Sequence, residues 1–527
     1  MKIDQLESQR QALQAELDGQ KTPAERNIMG QFSTPIALAN DVLTHAKNLF
    51  PKRGKVRFLD PAFGTGAFYS ALNNIFPSNR IEAATGYEID EHYGKPALKL
   101  WEKTDLNYQL ADFTKQQPPS EDEKYNLIIC NPPYVRHHHI NGQKEWLQAR
   151  AFKTAKMTLS GLAGLYCYFM ALSHLWMKKN GIAGWLIPSE FMDVNYGLAV
   201  KDYLLNEVTL LQIHRFDPSD VQFDDALVSS AVVWFKNQKP GKTYKVKFTY
   251  GGTIDKPAHE KDVSCSTLAT EKKWTRFPLS DERGENNAPK LSDFFTIKRG
   301  IATGDNKFFV LTHEQIESRG LPLEQFRPIL PSPRYLGVTE VKADKNGYPD
   351  IENQLFVLDC KLPLDEVKRI YPALYEYLEE GIQSGVSERY LCKNRKIWYS
   401  QENRLESQFY CTYIGRTDKA GKKPFRFILN RSKAIVANSY LILYPKPHLG
   451  YEIEQNPDLN ERLLEALNRI TGKTMLDEGR MYGGGMHKIE PKELANVPAM
   501  EISAIFEKSL NKALQLDGSS VALHCRQ

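Results

Sequence analysis

The sequence predicts an α/β protein: an open, mostly parallel sheet with helices on both faces, followed by a second domain of mixed α+β character. Four stretches predict it. Residues 125–136, Tyr-Asn-Leu-Ile-Ile-Cys-Asn-Pro-Pro-Tyr-Val-Arg, contain an apolar run from Leu127 to Cys130 that Pro132 and Pro133 stop. A run so short, and so apolar, reads as a parallel strand buried on both faces. Val56-Arg57-Phe58-Leu59-Asp60 is another, leading through Pro61-Ala62-Phe63-Gly64-Thr65-Gly66 into a helix. Between them lie two further strand signals, at 81–86 and 108–110. In such sheets ligands sit at the carboxyl ends of the strands.

Taken in order, residues 3–18 read as a polar helix with a thin apolar stripe (Ile3, Leu6, Leu13, Leu17), part of an N-terminal arm over 1–28. Thr22-Pro23-Ala24-Glu25 is a helix start, with Thr22 capping, Pro23 in the first helical position and Glu25 reaching back. Gly30-Gln31-Phe32-Ser33-Thr34-Pro35 opens a helix over 36–49. Its hydroxyl and free N–H groups either hold a carboxylate or form an N-cap and nothing more. Gly64 and Gly66 allow a tight turn and close backbone approach to a ligand, and the following helix start carries partial positive charge. The second strand ends in Tyr87-Glu88-Ile89-Asp90, an acid placed as the usual partner of ribose hydroxyls. The third ends at Asp112-Phe113, a polar group and a ring suited to an adenine. At the end of the fourth, Asn131 offers a side-chain carbonyl and Pro132 a backbone carbonyl, two convergent acceptors for a planar exocyclic amine. Tyr134 adds a ring for stacking; the alternative is a proline turn that merely leaves a strand.

Beyond this, 161–179 reads as an amphipathic helix, 181–188 as the fifth strand, and 210–216 with 229–235 as a closing antiparallel pair. His137-His138-His139 does not read as a metal site, because consecutive side chains diverge and no partner has ligand spacing. Residues 237–290 read as a linker-rich transition, with a domain boundary near 285 that leaves 29–285 as the core domain and 286–527 as the second. In the second, basic and aromatic residues interleave at Arg334-Tyr335, Arg389-Tyr390, 393–399, 422–427 and 431–433, which suits a phosphate-tracking surface. Residues 480–488, with three successive glycines, read as a flexible loop able to approach phosphates.

Composition bounds the rest. The chain has 527 residues, 41% hydrophobic and 25% charged, with a net charge of +5: globular, large enough for two cores, and mildly basic. Its seven cysteines are scattered without a Cys-x-x-Cys pair, which argues against a zinc site or disulfide framework and for a reducing cytoplasm. No stretch approaches the roughly 20 apolar residues of a membrane span, so no membrane partner is expected.

The ordered set Gln31-Phe32-Ser33-Thr34-Pro35, Asp60-Pro61-Ala62-Phe63-Gly64-Thr65-Gly66, Glu88, Asp112-Phe113, Asn131-Pro132-Pro133-Tyr134 resembles the gamma-class DNA adenine-N6 methyltransferases of restriction–modification systems. The resemblance covers most of the chain, most specifically residues 30–135. It implies a Rossmann-like catalytic sheet, S-adenosyl-L-methionine as cofactor, and a target-recognition domain over 286–527. It also implies double-stranded DNA as partner, a separately encoded cognate restriction endonuclease, and a nucleoid-associated cytoplasmic setting. The implied cofactor residues are Phe32, Thr34, Pro35, Asp60, Pro61, Gly64, Gly66, Glu88, Ile89, Asp112, Phe113 and Phe169, the last in a segment whose family counterpart lies against the cofactor's adenine. The implied catalytic residues are Asn131, Pro132, Pro133 and Tyr134, with Phe223 stacking on an extruded base; Phe223 as a loop aromatic covering the sheet's end is the alternative.

Four rivals stand beside this reading, one of them a catalytically dead DNA-binding module, which the intact site residues disfavour. A cytosine-N4 methyltransferase acts on a similar amine, but that group more often carries Ser where Asn131 stands. A protein glutamine methyltransferase shares Asn-Pro-Pro-Tyr but is compact. A nuclease is suggested by Pro349-Asp350 followed by Asp359-Cys360-Lys361, a loose pattern inside the second domain; only 30 residues precede Gln31, which leaves no room for the usual N-terminal nuclease domain.

Overall fold

The computed structural model describes residues 3–135, 140, 142–217, 229–279, 288–416, 423–482 and 486–508. The chain forms two compact units, one over residues 1–282 with 482–484 and one over 283–481 with 485–527.

In the first unit the elements follow as α1 (Ile3–Gly19), α2 (Pro23–Met29), α3 (Ile36–Leu49), β1 (Val56–Asp60), α4 (Ala67–Ile75), β2 (Ile81–Glu88), α5 (Glu91–Trp101), β3 (Leu106–Leu110), β4 (Tyr125–Cys130), α6 (Lys144–Ala155), α7 (Leu165–Ser173), β5 (Met177–Pro188), α8 (Leu198–Asn206), β6 (Thr209–Arg215), β7 (Ser230–Lys236), β8 (Lys245–Gly252), β9 (Pro257–Ser264) and α9 (Cys265–Thr270). One nine-stranded sheet runs in the order β3-β2-β1-β4-β5-β7-β6-β8-β9. Strands β1 to β5 are parallel; β7 enters antiparallel between β5 and β6. From β1 the chain winds outward through β2 and β3, then returns to β4 and winds the other way. The reversal opens a crevice at the carboxyl ends of β1 and β4, the place where such sheets bind ligands.

Strand alternation sorts side chains into two apolar layers. Leu59, Ile128, Cys130 and Trp185 pack on one face with α6, α7 and α8, while Phe58, Leu127, Ile129 and Trp234 pack on the other with α3 and α4. Each large side chain so buried is worth about 1.5–3 kcal/mol.

Two expectations are corrected here. The helix expected over 161–179 ends at Ser173, and Tyr166 to Ser173 are buried without a polar face; β5 already begins at Met177. An all-round apolar segment such as Leu-Tyr-Cys-Tyr-Phe-Met-Ala-Leu belongs inside, with no stripe to turn toward water. Residues 237–290 are not chiefly linker, since β8 and β9 extend the sheet as an antiparallel pair. Gly251 and Gly252, at φ of +66° and +67°, close β8 where it turns toward β9. The alternation Lys245-Val246-Lys247-Phe248 carried the strand signal, with Val246 and Phe248 buried and the lysines exposed.

The second unit is mixed α+β. A five-stranded sheet is built from Phe295–Arg299, Tyr440–Pro445, Phe409–Thr412, Phe427–Asn430 and Glu340–Val341, in that order. Two three-stranded sheets join it, one of them containing Arg480–Tyr482 and Met486–Lys488. The flexible loop expected over 480–488 is corrected as well, since Arg480–Tyr482 and Met486–Lys488 are strands; 483–485 lie outside the described residues. No described helix is long and apolar enough to cross a membrane.

Candidate active site

The two loops nearest the crevice are locked to each other. Tyr134 N donates to Gly30 O at 3.0 Å. Gly30 sits at φ +63°, and a Cβ there would stand 2.4 Å from Tyr134 N. Only glycine permits both the left-handed turn and that approach.

This contact places Phe32 and Thr34 over Asn131. The Asn131 Nδ2 donates to Phe32 O at 2.9 Å and to Thr34 Oγ1 at 3.0 Å. A backbone carbonyl can only accept, so the amide orientation is determined: nitrogen toward Phe32, oxygen away. Asn131 Oδ1 is buried and has no hydrogen-bond partner. Among the described residues no donor meets the Pro132 carbonyl either. An orphaned buried acceptor costs roughly 1–3 kcal/mol unless a ligand satisfies it. Tyr134 is 8% exposed, its hydroxyl donates to Leu186 O at 3.1 Å, and its ring lies 5.5 Å from that of Phe32. Its polar end is thus used, and only its ring is left to offer.

Neither Ser33 nor Thr34 caps α3: its N-cap is Pro35, with no side-chain cap bond. The capping alternative raised for this segment is set aside, because the Thr34 hydroxyl accepts from Asn131 instead.

At the end of β1, Asp60 is buried and its Oδ1 accepts from Ala62 N at 3.1 Å. Burial pushes its carboxyl up to about 8, and the nearby Glu88 adds to the rise. Gly64 and Gly66 stand at φ +56° and +95°, and a Cβ on Gly64 would meet nothing within 4 Å. The turn therefore has open space above it. Glu88 accepts from Gly64 N at 2.9 Å and from Asp90 N at 2.8 Å, and burial raises its carboxyl as well. Ile89 beside it is 61% exposed. Asp112 caps the turn after β3 through Thr114 N at 2.9 Å, and Phe113 is buried with its ring 5.7 Å from that of Phe169, itself 7% exposed. Glycine turn, paired-oxygen acid, exposed aliphatic and aromatic wall thus lie on adjoining strands β1, β2 and β3, one strand from Asn131. Phe223 and His137–His139 lie outside the described residues.

Cys130, next to Asn131, is fully buried and burial raises its thiol well above the ordinary value, so it offers no nucleophile. Of the nuclease-like pattern in the second unit, Asp359 is engaged by Lys361 at 2.6 Å and by Gln401 N at 2.7 Å. No group of three or more His, Cys, Asp or Glu poised for a metal occurs among the described residues.

Sequence reasoning missed a polar network around this site. Lys21 Nζ and Gln31 Nε2 both donate to Asp90 Oδ2, at 2.5 and 2.6 Å. Arg10, buried in α1, donates to Thr65 Oγ1 at 3.2 Å, and that hydroxyl donates to Gln14 Oε1 at 2.6 Å. The arm expected to be an accessory packed on the body grips the glycine turn itself. The available signal was an arginine on the apolar stripe of this helix, Arg10 standing four residues after Leu6 and three before Leu13.

The chain resembles known proteins over most of its length. A model of the Eco57I restriction-modification methylase family matches residues 70–222, and one of the C-terminal domain of Type II methyltransferase M.Eco57I matches 271–520. Type II methyltransferase M.AccI of Acinetobacter calcoaceticus is 25% identical over 508 residues, 93% of this chain and 89% of the relative. M.XamI of Xanthomonas campestris pv. amaranthicola is 25% identical over 478 residues, 90% of this chain and 85% of the relative. Among solved structures, the Type IIL restriction-modification enzyme MmeI in complex with DNA is 14% identical with a TM-score of 0.49, covering 90% of this chain and 71% of that one. The residues present suit S-adenosylmethionine: the open space over Gly64 would admit close approach, Glu88 would meet ribose hydroxyls, and the uncapped N–H groups at the start of α3 would meet a carboxylate. With family models spanning both units, the chain belongs to the Eco57I-type restriction–modification DNA methyltransferases, with S-adenosylmethionine as methyl donor.

Proposed function

We propose that this chain methylates adenine N6 at a short, specific sequence in double-stranded DNA, after the target base is turned out of the helix. The observation that carries this reading is the Asn131 amide: its nitrogen is pinned by Phe32 and Thr34, and its oxygen is buried without a partner. A second acceptor, the Pro132 carbonyl, adjoins it.

An adenine N6 lone pair is delocalised into the ring and attacks poorly. Two hydrogen bonds from the amine to Asn131 Oδ1 and Pro132 O would draw N6 toward tetrahedral geometry and localise that lone pair. S-adenosylmethionine supplies an electrophilic methyl on a sulfonium. With it bound, the C–S bond would break as the N–C bond forms, leaving the electron pair on sulfur, and the amine's surplus proton would pass to water. Charge is thereby lost from sulfur without a covalent enzyme adduct, so the chain's contribution is orientation and fixed dipoles. Unstacking the base costs a few kcal/mol, offset by stacking against Tyr134 and Phe223. Residues 286–527 supply sequence recognition, and a separately encoded endonuclease cuts unmodified copies of the same sequence. The setting is the bacterial cytoplasm.

The test is to incubate the protein and cofactor with unmodified genomic DNA and map modified bases by single-molecule sequencing. N6-methyladenine in one short motif is expected, lost in Asn131→Ala while calorimetric cofactor affinity stays within about threefold. Modified cytosine alone would transfer the assignment to N4.

A further inference from the structure

The loop that orients the Asn131 amide has its own anchor, and that anchor lies on the cofactor side of the crevice. Gln31 immediately precedes Phe32. Its side chain donates to Asp90 Oδ2 at 2.6 Å and accepts from Lys21 Nζ at 3.1 Å, while Lys21 donates to the same Asp90 oxygen at 2.5 Å. The three side chains close a triangle, with Lys21 and Asp90 only 21% and 16% exposed. Asp90 is itself held: its Oδ1 caps α5 through His92 N at 2.9 Å, and its N–H donates to Glu88 Oε1. Burial would raise the Asp90 carboxyl, but the bonds from Lys21 and Gln31 outweigh it and hold the group below its ordinary value. The triangle is therefore charged and strongly hydrogen-bonded.

From this geometry we infer that Lys21 and Gln31 are positioning residues of the methyl-transfer reaction: through Asp90 they hold the 30–34 loop whose Phe32 carbonyl and Thr34 hydroxyl orient Asn131. The continuous path runs Asp90, Gln31, Phe32 O, Asn131 Nδ2. A second strut supports the same loop: Ser33 Oγ reaches Asp18 Oδ2 at 3.4 Å, and Asp18 also accepts from Tyr93 at 2.8 Å. The arm is thus a working part of the centre. An amide held on one side only would rotate, and misplacement of a reacting group by about 1 Å can cost 10²-fold in rate.

The inference rests on Asn131 being the acceptor of the target amine, and the experiment separates the two. The full chain is assayed for transfer of tritiated methyl from S-adenosylmethionine to unmethylated plasmid, with cofactor affinity by calorimetry and melting temperature by fluorescence. Gln31→Ala and Lys21→Met are expected to lower kcat about tenfold, leaving plasmid KM and cofactor Kd within about twofold. Lys21→Arg, which keeps the ion pair, restores kcat to within about twofold of the parent. Because both loosen one amide, Gln31→Ala combined with Thr34→Val is no more than about twofold slower than the slower single variant. If Gln31→Ala folds poorly, Lys21→Met carries the same reading. Unchanged kcat in both variants, multiplicative loss in the double, or loss confined to cofactor Kd would overturn the inference while leaving Asn131 in its role. Wild-type turnover in Asn131→Ala would overturn both.

Discussion

An asparagine amide presents a donor end and an acceptor end, and what binds one decides what is left of the other. Here Phe32 O and Thr34 Oγ1 take the donor end of Asn131, so the acceptor end remains for a ligand. Thr34 is therefore assigned a use beyond the cofactor contact implied by resemblance. Thr34→Val removes one of two anchors while keeping shape. It is expected to lower kcat about tenfold with plasmid KM little changed, read by the same methyl-transfer assay, whereas Thr34→Ser retains most of the rate. A larger effect on cofactor Kd than on kcat would return Thr34 to the cofactor alone.

Among the elements, the central strands tolerate little change because both faces are packed. Gly184 of β5 lies opposite Trp234 of β7, and a Cβ there would stand 2.6 Å from the Trp234 ring and 2.9 Å from Ile129 Cδ1. The Trp234 ring occupies the space that glycine leaves, and because the ring is fully buried it cannot swing aside as the end of Ile129 can. Gly184→Ala should destabilise the protein by about 1–3 kcal/mol, seen as a lower urea midpoint at unchanged slope. Equal stability would mean that β5 and β7 separate more easily than their register suggests. The extra pair β8 and β9 serves the same packing. His214 of β6 is buried with its Nδ1 2.9 Å from Thr249 Oγ1 of β8.

For the whole molecule, two buried groups shape stability against pH in opposite directions. Asp60 keeps its proton in the folded state up to about 8, against 3.8 when unfolded, because burial disfavours its charge. Between those values the folded state binds more protons, so stability falls as pH rises toward 8. Burial lowers His214 to about 4 from 6.5, so between those values the unfolded state binds more protons and stability falls as pH drops. The slopes of these two groups offset each other from about 4 to 6.5, and of the two only the Asp60 loss continues from 6.5 to 8. The melting temperature of Asp60→Asn relative to the parent should therefore be higher at pH 8 than at pH 5, by differential scanning calorimetry. An equal difference at the two values would mean that Asp60 is ionised in the folded protein.

Much of the first unit was legible because its signals are local. Val56–Asp60, the glycine turn and the strand ending at Asn131 follow from short apolar runs stopped by glycine or proline, and Thr22 to Glu25 do form the expected capping box. The buried helix α7 and the pair β8 and β9 were misread, the one because period alone does not show that every face is covered, the other because glycines and lysines outweighed a strand's alternation. The ordered motifs by themselves determined the family resemblance and named Asn131 as the acceptor. What only the tertiary structure decided is which way that amide points and what holds it there. Residues 21, 31, 90 and 131 carry no spacing that links them. They meet because the sheet reverses direction between β1 and β4, bringing the ends of separate strands and the arm to one crevice.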